Sequence, residues 1–128
     1  MEKSELTRLL PKNSSDVDGA RAVLALGYPT VAPVLKTLFQ WLETSGSDVE
    51  LLMRSFFASL GEPAIELVAE ALSSPSKPAR KAALLQHVLP SWPREVLAHI
   101  EPQLKALIQG YDYYGLDAWA LKLLIDKD

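Results

Sequence analysis

The chain has 128 residues, 48% of them hydrophobic with Leu and Ala prominent, no cysteine and a formal net charge of −3. That length suits one domain spanning residues 1–128, able to bury roughly two thirds of its unfolded surface. Lys and Arg are not in excess, so a run of phosphates cannot be neutralised and a dedicated nucleic-acid binder is disfavoured; without thiols, disulfides and thiolate metal sites are excluded.

The opening MEKSELTRLLPKN lacks the apolar stretch of a signal peptide, and no uninterrupted apolar run is long enough to span a bilayer. The expectation is a soluble, cytoplasmic protein with no membrane partner, which also suits the lack of cysteine. The Leu and Ala bias and the missing β-branched runs predict an all-α fold of seven or eight helices and no sheet.

A first helix is predicted over SSDVDGARAVLAL, with Ser14 or Ser15 as its N-cap. It ends at LGYP, where Gly27 can adopt a positive φ and Pro29 suits the first turn of the next helix. Val31, Val34, Leu35, Leu38 and Leu42 then share one helical face. The next helix, SDVELLMRSFFASL, opens on Ser47 and Glu50 at the spacing of a capping box. It closes on LGEP, whose Gly61 and Pro63 repeat the first corner thirty-four residues later (Gly27 to Gly61). Ile65, Val68, Ala69 and Leu72 line the helix that follows. Each LGxP phrase thus reads as the corner of a two-helix hairpin, and so short a connection forces antiparallel neighbours.

The third unit is looser. Pro78 starts a helix with Ala82, Leu85 and Leu89 on one face, and its corner is PSWP at 90–93. Pro102 breaks the partner segment, predicting a helical turn near 94–99 and a firmer helix over about 101–109 that Gly110 stops. In GLDAWALKLLI, residues Leu116, Trp119, Ala120, Leu123 and Leu124 fall at helical spacing, which assigns Trp119 to the core and makes this segment a C-terminal cap.

A period of thirty-four is the tetratricopeptide length, but that repeat carries its Leu-Gly inside a helix, whereas Gly-x-Pro breaks one here. Residues 60–84, LGEPAIELVAEALSSPSKPARKAAL, resemble short HEAT-like repeats, with Arg80 and Ala82-Ala83 at the Arg-x-Ala-Ala places. The phrases LLPKNSSD (9–16), LALGYPTVAPVL (24–35) and LLQHVLPSWPREVL (84–97) are similar to those of a family of small bacterial proteins, over roughly residues 9–109. The resemblance implies a short HEAT-like α-solenoid of about three helical hairpins plus the capping helix, and brings no activity with it.

No phosphate-cradling glycine motif, nucleophile elbow or HExxH is present. His87 and His99 fall on different elements, and Asp112 or Asp117 could join them only by accident of folding, so no metal or other cofactor is expected. Asp112 and Asp117 read as acids near a helix start rather than as a catalytic pair. Two clusters stand out as partner-binding candidates. Lys77, Arg80 and Lys81, with His87, put positive charge along one helix face, against an alternative in which Arg80 pairs within its repeat. Tyr111, Asp112, Tyr113 and Tyr114 crowd one connection, with Trp41 and Trp92 elsewhere, and such aromatics are enriched at binding hot spots.

Stacked hairpins present long surfaces suited to gripping macromolecules. The expected function is therefore a non-enzymatic protein–protein interaction module, in its concrete form an immunity protein that neutralises a cognate bacterial toxin. The alternative is a HEAT-like nucleic-acid-binding or alkylated-base-processing protein, which requires a basic groove that the composition does not favour.

Overall fold

The computed structural model describes residues 2–44, 46–74, 78–109 and 115–127. It is helical throughout, and no strand occurs among the described residues. No helix of the described residues is long and apolar enough to cross a bilayer.

Helix α1 (Lys3–Leu9) leads through a polar loop to α2 (Val17–Leu24). The N-cap of α2 is Asp16, one residue beyond the predicted serines. Its carboxylate accepts from the Gly19 N–H at 3.1 Å and from the Lys12 N–H at 2.9 Å, tying the loop to the helix start. Each of the two donors takes its own carboxylate oxygen, Lys12 N–H on Oδ2 and Gly19 N–H on Oδ1. The Lys12 and Gly19 N–H groups hold the Asp16 carboxyl below its ordinary range.

After α2 the Gly27 N–H closes on the Leu24 carbonyl at 3.1 Å with Gly27 at φ 72°, as the corner argument requires. The second helix does not start at Pro29. The Tyr28–Pro29 peptide is cis, the chain makes a further turn, and helical structure resumes as a 3-10 turn over Ala32–Val34 that leads into α3 (Leu35–Gln40). Pro33 is the physical reason: in an α-helix begun at Pro29 it would be interior and unable to donate to the residue 29 carbonyl. The predicted apolar face survives the shift, and Val31, Val34, Leu35, Leu38 and Leu42 are all buried.

The second corner follows its phrase more closely. In α4 (Asp48–Leu60) the Ser47 hydroxyl accepts from the Glu50 N–H at 3.1 Å. Glu50 reaches back to the Gly46 N–H at 3.0 Å, one residue earlier than the usual capping box, and its other oxygen takes the Arg54 guanidinium. Glu50 is fully buried, so both contacts offset a desolvation cost. At the corner Gly61 has φ 66° and ψ −116°, outside the αL basin and open only to a residue without Cβ. A 3-10 turn over Glu62–Ala64 starts at once and feeds α5 (Ile65–Ser73).

In the third unit α6 (Pro78–Ala83) runs on into a π-helical turn over Leu84–Val88 and a 3-10 turn over Leu89–Ser91. Pro90 cannot donate to a carbonyl one turn back, which accounts for the irregular end. Then come α7 (Arg94–Leu97), a 3-10 turn over Ala98–Ile100 and α8 (Glu101–Gln109), the break and restart expected around Pro102. Gly110 lies outside the described residues. Helix α9 (Leu116–Lys127) packs on α8 and on the π-turn.

One apolar cluster runs from Leu6 to Leu123. Helix α4 is its centre, packed against α2, α3 with the 3-10 turn Trp41–Glu43, and the π-turn. Phe57 meets Phe39 and Phe56 edge-on, each at 5.2 Å. Trp92, the aromatic of the third corner, is fully buried and donates its indole N–H to the Phe57 carbonyl at 3.0 Å. It thus satisfies an acceptor in the last turn of α4 and fastens the third corner to the second. Trp119 is only partly buried, with Lys122 Nζ 5.4 Å from its ring centroid, so it belongs to the edge of the core and not its middle.

Candidate functional site: a groove between α2 and α4

Of the predicted partner-binding residues, Lys77, Tyr111, Asp112, Tyr113 and Tyr114 lie outside the described residues. Arg80 and Lys81 are described, and neither points freely outward. Arg80 forms an ion pair with Glu43 at 2.9 Å and lies 5.3 Å from the Phe39 ring centroid, joining the third unit to the first. Its side chain is 15% exposed, and its buried Nε has no hydrogen-bond partner among the described residues. Lys81 is 9% exposed. The pairing is between units, where the sequence alternative placed it within one repeat. His87 sits outside this pair; partial desolvation and the nearby Arg54 charge hold its imidazole below the ordinary range, with Glu50 opposing.

Asp117 falls in the first turn of α9, as expected of an acid near a helix start. Among the described residues no group of three His, Asp or Glu side chains is placed to hold a metal ion.

A concave surface lies elsewhere, and its construction starts from the two corners. The Val49 N–H donates to the Ser14 carbonyl at 3.1 Å, which sets the start of α4 beside the start of α2. The two helices therefore run parallel, and their C-terminal corners emerge side by side. Between them lies an open groove of about 710 Å³. Arg21, Leu24, Ala25 and Tyr28 form one wall at i, i+3, i+4 and i+7; Leu52, Phe56 and Leu60, at i+4 steps, form the other, with Pro63 at the end. The Ser55 and Ser59 hydroxyls and the Arg21 guanidinium are its polar lining.

Sequence reasoning missed this groove, although a signal for it exists. Helix α4 carries more apolar residues than a single core stripe needs. Val49, Met53 and Phe57 fill the core, which leaves Leu51, Leu52, Phe56 and Leu60 as surplus on flanking positions. Leu52, Phe56 and Leu60 are half-buried and Leu51 is exposed. Chemically the groove offers apolar area, two hydroxyls and one cation. That set can seat apolar side chains and orient one carboxylate; it has no base beside a nucleophile and no arrangement for proton transfer.

Comparison with protein-family models, with curated proteins and with solved structures finds no match to this chain.

Proposed function

We propose that this protein is a non-enzymatic, HEAT-like helical stack that works in the cytoplasm by binding another protein, and that the groove between α2 and α4 is where it binds. The observation that supports this reading is the groove itself: an open, mainly apolar channel, rimmed by hydroxyls and one cation, built by two successive hairpins. Apolar patches of this kind on a folded surface mark sites of macromolecular association. The groove's proportions, with i+4 ridges on both walls, suit an amphipathic helix laid lengthwise. An immunity protein that occupies a cognate toxin is the concrete form of this reading, in keeping with the resemblance to small bacterial proteins built on the same phrases.

The test is site-specific photo-cross-linking in the native host. A cross-linking amino acid at Tyr28 should trap a defined protein, and the same group at the exposed Ala98, which does not line the groove, should not. If the trapped protein is a toxin, co-expression of this chain should restore growth, and Tyr28→Asp should abolish the rescue. Adducts that form equally from both positions, or from neither, would sink the reading.

A further inference from the structure

Among the described residues, the large apolar side chains left exposed are Leu26, Tyr28, Leu51, Leu121 and Ile125. They fall in two places. Tyr28 lines the groove, with Leu26 and Leu51 each next in sequence to a lining residue, and Leu121 and Ile125, 46% and 64% exposed, lie one helical turn apart on the outer face of α9. Two unrelated patches of this kind on one chain call for two coverings, or for one that covers both.

Their charges are complementary, and the shorter patch fits along the longer. On α4 the apolar wall extends from Leu52 to Leu60, eight residues or about 12 Å at the rise of an α-helix. On α9 the exposed apolar pair Leu121 and Ile125 spans four residues or about 6 Å, with Asp117 one turn before it. Each patch carries one charge of opposite sign. Arg21 is the single charged residue lining the groove, and it makes no ion pair among the described residues. Asp117 precedes the two apolar residues of α9. With Leu121 and Ile125 laid against Leu52, Phe56 and Leu60, Asp117 is the acid on α9 that precedes them and can answer Arg21. Helix α9 cannot reach its own groove, because α8 and the π-turn hold it.

We propose that the groove's occupant, in the protein by itself, is α9 of a second copy of this chain. This rests on the reading of the groove as a helix-docking surface and goes further by naming what docks. The contact joins different surfaces of the two copies, so it closes into a pair only if both grooves are filled reciprocally, and otherwise extends head to tail.

Sedimentation equilibrium of the full-length chain, from micromolar to submillimolar concentration, tests it. The parent should associate reversibly. Leu121→Glu/Ile125→Glu alters only exposed positions and should weaken association about tenfold or more, because burial of both side chains is forfeited. Arg21→Asp and Asp117→Arg should each weaken it, and the double exchange should recover part of the loss, a rescue that mere destabilisation of α9 would not give; helicity and melting of each variant serve as the folding control. A parent that stays monomeric throughout, or a Leu121→Glu/Ile125→Glu variant that associates as the parent does, overturns the proposal. Neither result touches protein binding at the groove, since a hetero-partner cross-linked from Tyr28 would still stand.

Discussion

The two LGxP corners share four residues' worth of punctuation and are built differently. At the second, Gly61 turns the chain and Pro63 sits in the first turn of the next helix, so α5 begins four residues after the glycine, at Ile65. At the first, Gly27 turns the chain in the same way, but α3 begins eight residues later, at Leu35, after Pro29 has been passed over in favour of Pro33. A glycine fixes where a helix stops; the last proline before an uninterrupted run fixes where the next one starts. The corners also differ in what holds them. Trp92 donates into the last turn of α4 just ahead of the second corner, whereas Tyr28 at the first is 46% exposed and faces the groove.

That difference in anchoring predicts the largest effect. Trp92→Ala should destabilise by about 3–5 kcal/mol, through loss of a fully buried indole and its hydrogen bond to Phe57. Tyr28→Ala, at the exposed corner, should change stability by less than about 0.5 kcal/mol. Urea unfolding of the two variants side by side measures both. Equal losses would mean that the corners are anchored alike.

The proline rule can be broken next. Leu67 stands six residues after Gly61, as Pro33 stands six after Gly27. Leu67→Pro should therefore cost about 3 kcal/mol or more and shorten α5, because the new ring falls inside a helix already under way. Pro33→Leu should cost less, and any gain in helical signal should come from residues 29–34. If Leu67→Pro left stability and helicity unchanged, proline position would not be what separates the corners.

A smaller change concerns the glycines, where the corners should agree. Gly61→Ala should cost about 1 kcal/mol or more from its positive φ alone, since no atom lies within 4 Å of where the new Cβ would stand. Gly27→Ala meets the same empty surroundings at φ 72° and should behave similarly. A null effect at either site would show that the positive φ is not required there.

The smallest effect is electrostatic and lies off both corners. The folded-state pKa of His87 is below its ordinary 6.5, so the unfolded chain takes up a proton first as pH falls. Stability should be unaffected by this group above pH 6.5, decline as pH drops from there toward the folded pKa, and level off below it. His87→Gln should remove that part of the acid slope. An unchanged slope would assign it to other groups.

Much of the fold was legible because it depended on local chemistry. Gly27, Gly61, the Ser47 cap, Pro78 and the interruption around Pro102 all act within a few residues of themselves, and the helical spacing of Val31 to Leu42 survived a four-residue shift in helix start. What stayed hidden depended on distance. Nothing near Arg80 in sequence names Glu43 or Phe39, and nothing near Trp92 names the Phe57 carbonyl, so a cation and an aromatic that looked available for a partner are partly spent on joining units. The groove was hidden for the same reason, since its walls come from α2 and α4 and the corners that follow them. Only the apolar surplus on α4 hinted at it.

The face formed by the two corners is proposed to receive a helix of another protein molecule. Hydrogen–deuterium exchange of the purified chain, alone and with the protein cross-linked through Tyr28, checks this at the level of single segments. Added protection is expected over residues 21–28 and 52–63, with little change over 78–91. Protection confined to 78–91, with residues 21–28 and 52–63 exchanging as in the free chain, would contradict it.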